Sequence, residues 1–442
     1  MLINFKNIWN RLLPHIVRTK PMSDLCDMCQ KNNAAVYRSA NLPDVVKRAK
    51  LKKQFEHLEL VSKERSLYRD MVSQCKKSVE NLTLGSNTQC SRNINVHYSF
   101  DYAQHVHYPS NPLQPGPMYF LVPRKCGIFG VTCEGIPSQV NYLIDEGMCT
   151  GKGSNAVISY LHHFFNTYGL GEQHAELHCD NCSGQNKNKF IWYLMWRTLH
   201  NFHFSITLNF MITGHTKFGP DWCFGLLKQN FKRTEVSSLA DMVECVEKSS
   251  VTGVNIPQLV GDEQGNVFVN VYDWQDFFAP YFKQLNGIKK LHHMRFDINH
   301  PGIIFCKTVC DENEEAINLL KDVSVHPPSA LPEVQKPPGL DLKRQWYFFN
   351  KIREYCTEES QDTVCPLPVD QPSNCLSSED ESEDELPPVE RHNGKKRNCK
   401  LSTDDLVTFW MNSKKLIVQQ YQTKVITSHY WALKIERPLP LP

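Results

Sequence analysis

The sequence predicts an α/β chain built on a mixed β-sheet, with a helical arm before it and a polar tail after it. Three observations predict this. Strand-like alternating segments come first and then take turns with helix-like ones; a basic, helix-periodic stretch precedes them; and the composition turns polar and Pro-rich near residue 361.

The arm occupies residues 1–94. Residues 1–20 pattern as a short amphipathic helix, the turn "SDLCDMCQKN" follows, and a long helix is predicted from about Pro43 to Val79. Its apolar positions Leu51, Phe55, Leu58, Val61 and Tyr68 recur at three- and four-residue steps. Residues 82–94 are rich in Asn, Ser and Gly and read as a linker.

The core is expected over 95–249. "NVHYSFDYAQ", "GPMYFLVPR", "CGIFGVTCEG" and "QVNYLIDEG" alternate like strands, and Pro and Gly between them favour antiparallel neighbours. "SNAVISYLHHFFNTYG" is a helix with Ser154 as the expected N-cap and Gly169 closing it. "HAELHCD" is a strand, "NKFIWYLMWRTLHNF" a helix and "HFSITLNFMITG" a strand. "GPDWCFGLLKQNFKR" opens a helix with Gly219 as cap and Pro220 at its first position. Three antiparallel strands followed by helix, strand, helix, strand, helix is the order of the ribonuclease H-like fold.

Residues 250–360 read as a strand-rich extension ("NVFVNVYDW", "KKLHHMRFDIN", "GIIFCKTVC") with a closing helix over 341–356. From 361 to 442 the tail carries "SSEDESEDELPP" and "GKKRNCK", and is expected to be mostly disordered because it holds too little apolar surface to offset chain entropy.

Length and composition bound the function. The 442 residues, 41% apolar, suffice for an ordinary core. The net charge of +2 hides an asymmetry: residues 1–95 hold 17 Lys/Arg against 8 Asp/Glu, and "KRAKLKK" gathers five positive charges in seven residues. A basic arm suits a polyanion such as DNA, and equally a solvated helix face or a helix for self-association into a homo-oligomer. No apolar run approaches the roughly 20 residues that span a bilayer, so no membrane partner is expected. The start lacks the apolar core of a secretory signal, so the 17 cysteines read as thiols in a reducing compartment rather than as a secreted disulfide scaffold. "KKR" (Lys395–Arg397) points weakly to the nucleus, with the cytoplasm otherwise.

Three acids line up along the core. Asp101 lies in the first strand, Asp180 ends the fourth, and Asp221 enters the first turn of the helix after the fifth. With strands one and four adjacent, two carboxylates meet side by side. Like charges that close call for a cation, and hard oxygen donors favour Mg²⁺ or Mn²⁺. Lys187 and Lys189 in the loop after Asp180, with His215 and Lys217 after the fifth strand, are candidate phosphate contacts. A turn-anchoring role suits His215 as well, and a helix-dipole role suits Asp221.

"DNCSGQNKN", with "SFDYAQ" upstream and "GHTKFGPDWCFG" downstream, resembles a family of transposon-derived animal proteins whose core looks like a DDE-type transposase or integrase domain. The resemblance covers roughly residues 1–356, including "IWNRLLPHIVRTKPMSDLCDMCQ" and "WYFFNKIREYC". It implies metal-dependent cleavage or strand transfer of DNA, with Asp101, Asp180 and Asp221 as the acidic set and Asn181 beside them. Such domains usually carry a glutamate on the last helix; here Lys228 and Gln229 stand there, leaving Asp221. The rival readings are a host-retained, non-catalytic module that binds nucleic acid or protein on the same fold, and a scaffold assembled through the arm.

Two C-x₂-C pairs could be halves of a zinc site. Cys179 and Cys182 are disfavoured, because Cys179 lies within a strand and faces opposite to Asp180. Cys26 and Cys29 lie in a polar turn, with His57, Cys75, Cys90 and His15 as candidates to complete the site; Zn²⁺ held by Cys26, Cys29 and His57 is the preferred set, its fourth ligand unassigned. His57 and Cys75 cannot share an ion, since 18 helical residues separate them by about 27 Å.

Overall fold

A computed structural model describes residues 25–369. The expectations for the helix over 1–20, for His15, for the acidic run and for Lys395–Arg397 lie outside the described residues.

The arm folds as a hairpin of two helices, α1 (Asp27–Arg38) and α2 (Asp44–Ser78). Pro43 precedes α2, where its missing N–H costs nothing. Only the second half of α2 packs down: Glu64, Tyr68 and Cys75 are buried, whereas Leu51, Phe55 and Leu58 stay exposed. The apolar stripe read from the sequence therefore does not face the core along its whole length.

Strands β1 (Arg92–Tyr108), β2 (Arg124–Cys133) and β3 (Ser138–Asp145) form consecutive antiparallel pairs. Helix α3 (Ser154–Thr167) leads to β4 (Glu172–Cys179), which runs parallel to β1; α4 (Phe190–Leu199) leads to β5 (Ser205–Phe210), parallel to β4. Then come α5 (Gly219–Phe231), α6 (Leu239–Glu247) and β6 (Asn255–Leu259), which adds parallel to β3. Past the short strand β7 (Val271–Tyr272) and helix α7 (Trp274–Phe278), the strands β8 (His293–Asp297), β9 (Ile303–Lys307) and β10 (Glu315–Asn318) extend the opposite edge. The result is one nine-stranded mixed sheet of order β10-β9-β8-β5-β4-β1-β2-β3-β6. The strands of 250–360 thus continue the sheet of 95–249 at both edges.

Four local expectations need correction. "GPMYFLVPR" is a 3₁₀ turn over Gly116–Phe120, and the strand begins only at Arg124; Pro115, Pro117 and Pro123 withhold the N–H groups a ladder needs. "NVFVNVYDW" keeps just Val271–Tyr272 as strand, because Asp273 caps α7 through the Asp276 N–H. Ser154 and Gly219 are the first residues of their helices, with Gly153 and Phe218 at the cap positions. Residues 361–369 belong to the fold: Gln361–Val364 is a helical turn, Val364 and Cys365 are buried, and Arg124 and Arg353 donate to the Val364 and Cys365 carbonyls.

The two faces of the sheet differ in chemistry. Val96, Tyr98 and Phe100 of β1 point toward α3 and α4, into an aromatic core that includes Phe164, Tyr193, Trp196 and Trp274. Tyr98 meets Phe164 edge-on, centroids 5.2 Å apart. Each buried aromatic of Phe size contributes about 2–3 kcal/mol, so this face fixes the strands firmly. The opposite face carries His97, Ser99 and Asp101 from β1, because side chains alternate along a strand. Near β2 and β3 it is covered by α5 and α6. Near β1 and β4 it lies beneath α2, in a polar layer.

Candidate functional site: two neighbouring carboxylates and a Cys/His cluster

Parallel pairing sets Ser99 opposite His178. Two residues further along each segment come Asp101, within β1, and Asp180, just past the end of β4, close enough that the Asp180 charge acts on the Asp101 carboxyl. One level below, His97 Nε2 and His178 Nδ1 lie 2.8 Å apart, and the Tyr68 ring covers both imidazoles edge-on. Burial holds His97 down to about 3 and His178 well below the ordinary imidazole range, so both are neutral.

The Asp101 carboxyl is pushed up to about 7, first by burial, then by the Asp180 charge and more weakly by Asp221, against the lowering hydrogen bond from the Tyr102 N–H. That N–H donates to Asp101 Oδ1 at 2.7 Å. Asp180 Oδ1 accepts from the Cys182 N–H at 3.1 Å and from Asn186 Nδ2 at 2.7 Å. The first of these closes an Asx turn, which is one reason the strand stops there. Each aspartate thus commits Oδ1 to the local fold, and no hydrogen bond among the described residues engages either Oδ2.

Asp221 is exposed, and its Oδ2 accepts the Phe218 N–H at 3.0 Å, capping α5. It is electrostatically coupled to Asp101 and to Arg65. The three aspartates do not close into a tight group: among the described residues, the set of three or more His, Cys, Asp or Glu ligand atoms within 4.8 Å of one another is Cys26, Cys29, His57 and His215.

That set completes the predicted zinc half-site with a residue assigned differently from sequence. His57 Nε2 lies 3.3 Å from Cys26 Sγ and 3.3 Å from His215 Nε2, and Cys29 Sγ lies 3.4 Å from His215 Nε2. Neither Cys75 nor Cys90 joins them. Cys75 is buried farther along α2, where its Sγ accepts the His97 N–H at 3.1 Å. Burial lowers both His57 and His215 and raises Cys29. Two thiols and two imidazoles in this arrangement are compatible with Zn²⁺. His215 therefore faces the arm, not a phosphate.

The predicted lysines separate. Lys187 is 4% exposed; its ammonium donates to the Lys289 carbonyl at 3.3 Å and sits 4.6 Å from the centroid of Phe210. Burial lowers it to about 8, and its charge points into the fold rather than toward a ligand on the surface. Lys189 is half-buried over Trp192, and Lys217 is exposed. Asn181, implied by the resemblance to sit with the acids, instead hydrogen-bonds the Met211 carbonyl and ties the tip of β4 to that of β5. Cys179 is fully buried in the aromatic core, opposite to Asp180, as alternation requires.

Sequence reading missed Asn186 and Glu134. Asn186 steadies Asp180 while its own Oδ1 is buried without a partner. Glu134, at the end of β2, accepts hydrogen bonds from Tyr68, Ser99 and the Gly219 N–H, joining α2, β1 and α5. A side chain at Gly219 would strike this carboxylate, which explains the glycine there. The amide-rich loop hinted at Asn186; nothing local marked Glu134.

Among the described residues no helix is long and apolar enough to cross a membrane. Residues 123–312 match a family model described as a domain of unknown function, DUF7869. The match contains Asp180, Asp221 and His215, and leaves out the arm and β1 with Asp101. No curated protein matches the chain, and no solved structure does.

Proposed function

We propose that this chain is a DDE-like, metal-dependent DNA nuclease or strand transferase on a ribonuclease H-like core of transposon origin. The observation that carries this reading is the meeting of Asp101 and Asp180 on adjacent parallel strands, with an Asp101 carboxyl raised to about 7. The strand order β3-β2-β1-β4-β5 inside the larger sheet, with β2 antiparallel to both its neighbours, supports the fold assignment.

The residues fit a divalent cation. The Asp101 carboxyl is raised first by burial and then by the Asp180 charge, which a cation would neutralise, and both free Oδ2 atoms belong to hard donors. Asp101 and Asp180 would hold Mg²⁺ or Mn²⁺, with Asp221 as the third carboxylate; the metal would supply positive charge to the attacking and leaving oxygens of a phosphodiester. The chain's own groups do the positioning. Asn186 fixes the Asp180 rotamer, and Tyr102 N–H fixes Asp101. Gly184 has open space around its Cα, so the loop after Asp180 leaves room for a phosphate backbone. Lys217 and the Lys-rich first half of α2 add exposed positive charge on the arm and the loop it contacts. In cleavage, a water oxygen bonds to phosphorus as the bond to the 3′-oxygen breaks; in strand transfer a 3′-hydroxyl takes the place of water.

Purified full-length protein with Mg²⁺ or Mn²⁺ should nick supercoiled DNA, and Asp180→Asn should not. Nicking that survives in that variant rejects the assignment.

One observation favours a second reading, a retained binding module without catalysis: Asp221 is exposed and already engaged as a helix cap. That module would bind DNA with an affinity falling steeply with salt, and would cleave with no divalent metal. Either reading expects the protein where DNA is, in the nucleus.

A further inference from the structure

We propose that Cys26, Cys29, His57 and His215 bind one Zn²⁺, and that this ion fastens the arm to the loop between β5 and α5, making the matched domain depend on the arm for the placement of Asp221. The binding itself does not rest on the nuclease reading; only its consequence for Asp221 does.

Three of the six donor separations match tetrahedral edges, and all six lie within 4.8 Å. With Zn–N near 2.0–2.1 Å and Zn–S near 2.3 Å, the edges should be about 3.3 Å between two nitrogens and about 3.5 Å between nitrogen and sulfur. The observed separations are 3.3 Å for the two imidazole nitrogens and 3.3 and 3.4 Å for the nitrogen–sulfur pairs. Hydrogen bonds alone account for this poorly. Each imidazole Nε2 has at most one hydrogen, yet His57 Nε2 closes on both a thiol and another ring nitrogen. Soft thiols with imidazoles select Zn²⁺ over Mg²⁺ or Ca²⁺. Four protein donors, with Cys26 only 6% exposed, make a closed and structural site.

The surroundings are built for it. Cys26 Sγ accepts the Cys29 N–H at 3.4 Å, and Gln54 Nε2 lies 3.7 Å from Cys29 Sγ, so both sulfurs have donors that stabilise a thiolate. On the other side, Gly214 has φ +76°, and a Cβ there would fall 2.3 Å from Cys26 Cα. The loop backbone therefore touches the cysteine turn directly. Arg65 of α2 donates to the carbonyls of His215 and Lys217. The loop then enters α5 at Gly219, two residues before Asp221. Three ligands lie outside the matched segment and one inside it, so the ion joins two parts of the chain that the backbone alone connects only at a distance.

The test uses the full chain. Metal analysis of the purified protein should find one zinc per chain, and Co²⁺ substitution should give the intense visible bands of a tetrahedral S₂N₂ set. His215→Ala should lose the metal, whereas His215→Cys should keep it and gain thiolate-to-Co²⁺ absorption, which separates loss of a ligand from loss of the fold. Chelation should raise amide exchange in 26–57 and in 211–218 together. A wild type purified without zinc and unable to take up Co²⁺, full zinc occupancy in His215→Ala, or exchange that rises in the arm alone would overturn the proposal. Asp180→Asn should bind zinc as the wild type does, so failure of the nuclease reading leaves this result intact and the converse also holds.

Discussion

Two clusters of side chains, one of thiols and imidazoles and one of carboxylates, are built on opposite plans. At the cysteine turn, all four donors converge within 4.8 Å, three of their separations being 3.3–3.4 Å, and burial lowers the pKa of both histidines. Where β4 ends beside the middle of β1, Asp180 acts on Asp101, and Asp101 is driven toward protonation first by burial and then by this neighbour. The first set can sit closed because neutral imidazoles and thiols do not repel. The second carries like charges that a shared proton or a cation must relieve, and each of its carboxylates keeps an oxygen free of the hydrogen bonds described above. A closed set of soft donors suits a structural ion; an open pair of hard donors suits an ion that must also accept substrate oxygens.

The largest effect expected from breaking this contrast is at Asp180. Asp180→Asn keeps an acceptor for Cys182 N–H but removes the charge. DNA nicking should fall on the order of 10³-fold in a single-turnover assay, with the zinc content unchanged. Nicking within about threefold of wild type would mean that the strand tips do not hold the reacting phosphate.

On the closed side, Gly214→Ala tests how tightly the loop meets the cysteine turn. A residue with a Cβ must adopt φ +76° and meet the Cys26 backbone, so urea denaturation should show a loss of about 2–4 kcal/mol. Gly184→Ala, in open space, should stay within about 0.5 kcal/mol. Equal losses at both positions would show that the loop does not depend on the cysteine turn.

Much of this was legible because register and alternation are local rules. Once "NVHYSFDYAQ" and "HAELHCD" are strands one and four, their adjacency follows from the order of elements, and Cys179 and Asp180 must face opposite ways. The fourth member of the Cys/His cluster obeyed no such rule. His57 and His215 are 158 residues apart, and among 18 histidines no spacing singles out one. Lys187 misled because a lysine in a polar loop reads as exposed, whereas its ammonium is buried over the Phe210 ring. Glu134 was silent for a related reason: its importance lies in three partners from three separate elements.

The open pair can also be examined without DNA, through pH. Asp101 has a folded value of about 7 against an ordinary 3.8, so the folded state keeps its proton where the unfolded chain has lost it. Its contribution is fully present below about pH 4 and is lost as pH rises through 7. In chelator at pH 8, Asp101→Asn should therefore be more stable than wild type by about 2 kcal/mol, a discounted share of the roughly 1.4 kcal/mol per pH unit that linkage allows. The two proteins should converge near pH 4. Mg²⁺ should stabilise the wild type at pH 8 and leave the variant unmoved. A difference that does not vary with pH would mean that neither burial nor the Asp180 charge raises this carboxyl.

The smallest expected effect, at Asp221, decides whether the open site has two carboxylates or three. Its Oδ2 caps α5 through the Phe218 N–H, and an asparagine can accept the same hydrogen bond. Asp221→Asn should therefore cost about 0.5 kcal/mol or less in denaturant. Its charge reaches Asp101 more weakly than that of Asp180 does, and its side chain is exposed. Nicking should accordingly fall by roughly tenfold, well short of the loss at Asp180. A fall as deep as that of Asp180→Asn would make Asp221 an equal ligand, drawn inward when substrate and metal arrive. No fall at all would leave it a helix cap and reduce the acidic set to the pair that register brings together.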